Sequence, residues 1–156
     1  GFAFKPIPSV RFAFDWQRIY YSDIDSIANP LLPNLMQAQL GSNKGAGFGW
    51  DDMDIFKFGL EWERTEQWTY RFGYSFSDDQ PIPDKEVMFN ILAPATIEQH
   101  ASFGFTRTFA SQNELNFAFM YAFKNDVEGP NPLDPAQKIK LEMDQWEVSL
   151  GYAWVF

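Results

Sequence analysis

Trp68-Thr69-Tyr70-Arg71-Phe72-Gly73-Tyr74-Ser75-Phe76-Ser77 decides the fold class of this chain. Its even positions are all aromatic, and its odd positions are small, polar or charged. A strand sends successive side chains to opposite faces, whereas a helix would scatter these five rings around its circumference. The stretch therefore reads as a strand with one aromatic face and one small, polar face.

The same alternation recurs on both sides. Val10, Phe12, Phe14 and Trp16 alternate with Arg11, Ala13 and Asp15, and the parity blurs at Arg18 and Ile19, as a bulge would make it. Phe56, Phe58, Leu60 and Trp62 alternate with Lys57, Gly59 and Glu61. Phe103 and Phe105 follow, then Leu115, Phe117, Phe119, Tyr121 and Phe123. The series ends with Trp146, Val148, Leu150, Tyr152, Trp154 and Phe156. About six strands of ~9–11 residues result, the length a tilted transmembrane strand requires.

Composition narrows the class. The 156 residues include 17 Phe, 6 Trp and 6 Tyr, yet the mean hydropathy is −0.32, so apolar and polar residues are finely interleaved. No segment approaches the ~18 consecutive apolar residues of a membrane helix. A net charge of −9 repels phosphate backbones and argues against nucleic-acid partners. With no cysteine, disulfides, thiolate metal sites and cysteine nucleophiles are excluded. Gly1-Phe2-Ala3-Phe4-Lys5-Pro6 has neither the basic start nor the apolar run of a signal peptide. A targeting sequence is therefore expected in a longer parent chain or to have been removed.

The apolar face is built almost wholly from large side chains, which crowd a small interior but suit a lipid-facing wall. The opposite face, rich in Gly, Ala, Ser and Thr, suits a wet or plugged lumen. Short connections at 63–67 and 110–113 alternate with long ones at 22–52, 78–96 and 124–140, as periplasmic turns alternate with extracellular loops. Trp62, Trp68, Phe109 and Trp154 fall near the short turns, and Tyr20, Tyr21, Phe76, Tyr121 and Trp146 near the long loops, as two aromatic girdles would. The expectation is an all-β, antiparallel transmembrane β-barrel. Residues 31–40, followed by Gly41, read either as a short helix with a glycine stop or as an irregular loop on the rim.

The last strand, Ser149-Leu150-Gly151-Tyr152-Ala153-Trp154-Val155-Phe156, resembles the outer-membrane assembly signal. Ser149, Gly151, Trp154 and Phe156 occupy its polar, glycine, hydrophobic and terminal aromatic positions, which implies the barrel-assembly machinery as a partner.

At family level the chain resembles FadL/TodX, outer-membrane transporters of long-chain fatty acids and other hydrophobic compounds. Tyr21-Ser22-Asp23-Ile24 through Asn29-Pro30, Gly45-Ala46-Gly47-Phe48-Gly49-Trp50 and Phe72-Gly73-Tyr74-Ser75 carry the resemblance. So do Phe89-Asn90-Ile91-Leu92-Ala93-Pro94 and Gly129-Pro130-Asn131-Pro132. It implies a fourteen-stranded, monomeric barrel in the Gram-negative outer membrane, amid lipid and lipopolysaccharide, with a hatch domain and a kinked strand. Residues 1–156 would supply about its last six strands, a curved meander lacking the hatch. Passive uptake of hydrophobic small molecules such as long-chain fatty acids follows, with neither a cofactor nor a catalytic step.

Candidate ligand contacts are Leu31, Leu32, Leu35, Met36 and Phe48 in the loops, with Met120 and Met143 if they face the lumen; structural packing is the alternative role for each. Lys44 is the nearest match to the basic residues that hold a ligand carboxylate in the family. Lys57 and Arg71 share the inner face with Glu61 and Glu147, and charge pairing there competes with ligand binding. Two other classes stand beside the channel: a purely structural barrel, and a lipid hydrolase using His100 and Ser102, which should face inward because Phe103 and Phe105 take the other side. Gly45, Gly47 and Gly49 lack the last glycine of a dinucleotide loop, since Trp50 stands there. Asp23 and Asp25 are not a calcium loop, with Ala28 at its sixth position and Asn34 at its twelfth. Asp51, Asp52 and Asp54 form a solvated acidic edge or a rim that attracts divalent ions.

Overall fold

The computed structural model describes residues 1–155; Phe156 of the expected assembly signal lies outside the described residues. Seven strands form one antiparallel sheet in chain order. They are β1 (Phe2–Ile7), β2 (Val10–Ile19), β3 (Met53–Thr65), β4 (Trp68–Ser77), β5 (Gln99–Thr108), β6 (Glu114–Asn131) and β7 (Asp134–Ala153). The sheet is an open meander with β1 and β7 at its edges.

Three details differ from the sequence reading. The strands number seven rather than about six, because β1 pairs with β2 (Phe2 opposite Phe14, Phe4 opposite Phe12). The β2–β3 register runs unbroken from Val10 opposite Trp62 to Ile19 opposite Met53, so there is no bulge at Arg18. The segment 124–140 is not a long loop: β6 and β7 continue through it to a tight turn, with Asn131 opposite Asp134. Of the two readings of residues 31–40, the irregular loop is the nearer: it holds one 3-10 turn, Asn34–Met36, and the short α1 (Asp25–Ala28) lies upstream. Gly41, after this segment, sits at φ 81°.

A bulge does occur in β6. Between Ala122 opposite Gln145 and Asn125 opposite Met143, β6 advances one residue more than β7. Below it, odd-numbered β6 residues share the aromatic face; above it, the even-numbered Asp126 and Glu128 share the face of Trp146. The inward side chains there become Val127, Leu141 and Ile139, and they meet Ile82 and Val87 from the loop 78–98. This cluster is the buried core of the described chain, each side chain contributing about 1.5–3 kcal/mol relative to exposure. Gly129 is required beside it, because a Cβ there would run into the backbone carbonyl of Asp84.

On the outer side of this hairpin, Lys138 binds Glu128 at 2.8 Å, and Lys124 and Lys140 bind Glu142 at 2.7 and 3.3 Å. Hydrogen bonds from Lys138 hold Glu128, and those from Lys124 and Lys140 hold Glu142, below the ordinary value of 4.5. The same contacts raise Lys138 and Lys140 above 10.5. The carboxylates thus contribute stability above about pH 4.5 that is lost as pH falls through their lowered values. The lysines contribute below 10.5 and lose their contribution as pH rises through their raised values. Amide exchange at 126–142, corrected for intrinsic rates, is expected to be slowest at neutral pH and to quicken toward both extremes; protection that is flat across pH would refute this.

Candidate functional site

The register aligns the large apolar side chains into continuous rows. Phe12, Leu60, Phe72, Phe103, Phe119 and Val148 form one, and Phe14, Phe58, Tyr74, Ala101, Tyr121 and Trp146 another. Rings meet across strands at 5.1 Å (Phe14–Phe58) and 5.3 Å (Phe72–Phe103, Phe105–Phe117). Phe58, Phe72, Trp146 and Leu150 remain 44–72% exposed. Contiguous exposed apolar faces of more than a few hundred Å² mark surfaces that meet a partner or a membrane.

Polar groups bound the face at both ends. At the long-loop end the outward residue after Trp16 is Arg18, before Phe56 it is Asp54, after Phe76 Asp78, and before Trp146 Asp144. Asp54 accepts from the Trp16 indole N–H at 2.8 Å and from Arg18 at 3.1 Å. At the short-turn end stand Arg64, over the Trp62 ring, and Arg107, over Trp68 and Phe109. Between these limits lie about 9 residues per strand.

The opposite face carries a polar ladder. Glu61 accepts from Arg71 at 2.9 Å and faces Arg11 at 3.4 Å. Arg71 also donates to Thr106 (2.7 Å), which donates to Asn116 (2.6 Å), and Lys57 donates to Gln17 (2.7 Å). Arg71 is thus committed to internal pairing. Lys57, Ser75, His100, Ser102 and Met120 line a recess of about 400 Å³. His100 and Ser102 share this face, as expected from parity, and the Ser75 hydroxyl lies 3.5 Å from His100 Nδ1.

The two long loops dock on one another through buried polar groups. Asn90, fully buried, accepts from the Trp50 indole at 2.6 Å and donates to the carbonyls of Phe48 (2.7 Å) and Glu86 (2.9 Å). The buried Glu86 carboxylate accepts from the Leu31 amide at 2.8 Å. Gly49, at φ 69°, must be glycine both for its left-handed backbone and because a Cβ would strike the Glu86 side chain. Phe48 stacks on Phe89 at 5.0 Å. Asp52, accepting from the Ser22 amide, is held below the ordinary carboxylate range by hydrogen bonds from Ser22.

The sequence candidates separate into groups. Leu31 and Phe48 are packing residues of this loop cap, buried or stacked. Leu35 and Met36 stand out in solvent, 45% and 83% exposed, as do Leu32 and, from the other loop, Ile91 and Leu92. Lys44 is exposed, and its carbonyl accepts from Asn34. Met120, between Ser102 and Glu147, lies on the polar face, and Met143 lies on the same side of β7. These residues do not converge on one closed pocket. Asn90 and Glu86 organise the cap, and only their place near the resemblance segment Phe89-Asn90-Ile91 hints at them in sequence. Ser149, Gly151 and Trp154 lie on or beside β7, at the sheet edge. Among the described residues no cluster of three or more metal-ligating side chains occurs, Asp51, Asp52 and Asp54 included. Neither a protein-family profile nor a curated relative matches the sequence.

Proposed function

We propose that this chain forms strands of an outer-membrane β-barrel of the FadL/TodX type, through which hydrophobic small molecules cross passively. The barrel reading rests on the exposed aromatic band with polar limits at both ends, a pattern that fits lipid and not water. The uptake reading rests on one observation: Leu35, Met36, Ile91 and Leu92 stand exposed on docked loops at the end beyond the aromatic band. Such loops in contact only with water would be polar, and a weak apolar capture site explains these side chains. Each buried CH₂ of a ligand contributes about 0.8 kcal/mol, so a few contacts suffice for reversible capture.

Uptake of a radiolabelled long-chain fatty acid by the full-length parent, in a strain lacking its own transporter, tests the proposal. With Leu35→Asp and Met36→Asp together, the initial rate at low substrate is expected to fall about three- to tenfold, as loss of about 1 kcal/mol of apolar contact implies. Parent uptake equal to the empty strain would sink the transport reading. Lipase activity abolished by Ser102→Ala would favour the hydrolase instead.

A further inference from the structure

Cations in this acidic chain are drawn to carboxylates: Arg11 and Arg71 meet Glu61, and Arg18 meets Asp54. The outward lysines 124, 138 and 140 at the long-loop end are likewise paired. Arg64 and Arg107 are the exceptions among the arginines, with no carboxylate within ion-pair distance among the described residues. Both are exposed, and both lie at the short-turn limit of the aromatic face. Each is instead held against rings. The Arg107 guanidinium lies 5.2 Å from the Trp68 ring centre and 4.9 Å from that of Phe109, and Arg64 lies 5.7 Å from Trp62. Tyr70 joins the two, 6.0 Å from Trp62 and 5.9 Å from Trp68.

A guanidinium held over aromatic faces by cation–π attraction keeps N–H groups free for another partner, and their fork matches two oxygens of a phosphate. Tryptophan and tyrosine beside it are the side chains that settle at the headgroup level of a bilayer. We infer that Arg64 and Arg107, with Trp62, Trp68 and Tyr70, form a binding site for the phosphate of anionic phospholipids in the leaflet at the short-turn end. The inference rests on the membrane-barrel reading. The matched charges at the other limit leave no comparable free cation on the outward hairpin face, so the site would favour one leaflet and fix the depth of the barrel.

Native mass spectrometry of the purified full-length parent tests it, with phosphatidylglycerol, a diacylglycerol of the same chains, and inorganic phosphate as separate probes. Phosphatidylglycerol should be retained in preference to diacylglycerol. That preference should drop roughly 30-fold in the Arg64→Gln/Arg107→Gln protein, given the usual contribution of a basic residue near an anionic surface. Arg11→Gln, on the opposite face, should leave it unchanged, and a heat-modifiable band on gels checks that each variant is folded. Equal retention of the two lipids by the parent, or an unchanged preference in the double variant, overturns the site. Displacement of the lipid by millimolar inorganic phosphate would mark a general anion site and overturn it too. Failure of the parent to enter vesicles at all would instead strike the barrel reading.

Discussion

On the proposed barrel reading, Phe72→Arg is expected to lower the unfolding free energy by about 2–4 kcal/mol in lipid vesicles, the cost of a cation at the middle of a lipid-facing wall. Phe72 sits mid-band, opposite Leu60 on one side and Phe103 on the other, and is 44% exposed. Met120→Arg is the matched comparison. It lies on the polar face, opposite Ser102 and Glu147, where a guanidinium finds water and a carboxylate. Its cost should stay below about 1 kcal/mol, as for other solvated substitutions. Denaturant titrations of both variants in vesicles, followed by tryptophan emission, give the comparison. If Phe72→Arg proves as mild as Met120→Arg, the aromatic face meets water and the membrane assignment fails.

The second large effect is expected at Asn90. Alanine there removes three hydrogen bonds and leaves the Trp50 indole N–H and the Phe48 and Glu86 carbonyls without their partner. Orphaned buried groups cost about 1–3 kcal/mol each, so a loss of about 3 kcal/mol or more is expected in the docking of the loop cap. Asn90→Asp should be no better, since its carboxylate would face two carbonyl oxygens that need a donor. The sheet pairs through its own backbone, so the damage should be local. Limited proteolysis should cut within 22–52 in both variants while the strands stay protected. A wild-type digestion pattern in Asn90→Ala would show that the cap is held by something else.

The sequence reveals the sheet far better than it reveals the loops, for physical reasons. Trp68 to Ser77 alternates without a break because the two faces meet different surroundings along its whole length. β1 escapes notice because Pro6 interrupts it and Pro8 follows it, although Phe2 and Phe4 already carry the aromatic parity. The upper half of β6 contains Gly129 and Pro130, which ordinarily mark a loop. Pro130 is tolerated because it lies near the free end of the hairpin, opposite Lys138. Its partner β7 does alternate, with Ile139, Leu141 and Met143 between Lys138, Lys140 and Glu142, and that signal was available. The charge pairing on the polar face was foreseeable from Arg71 and Glu61, whose alignment follows from strand register. The cap was not, because Asn90 and Leu31 are joined through Glu86 by contacts that no local pattern encodes. For the same reason the apolar candidates at 31–48 could be named but not sorted into those that pack and those that stand free.

The bulge at residues 122–125 works like a shift of reading frame. Below it, the odd letters of β6 are written for one audience; above it, the even letters take over, while β7 keeps its frame throughout. One hairpin can thus present rings outside at one height and paired charges at the next, and turn Val127 inward in place of Asp126. Without that extra residue, the carboxylates of Asp126 and Glu128 would be the ones pressed against Ile82 and Val87. Length changes in this hairpin therefore carry a grammar: two residues at a time preserve the message, and one inverts it.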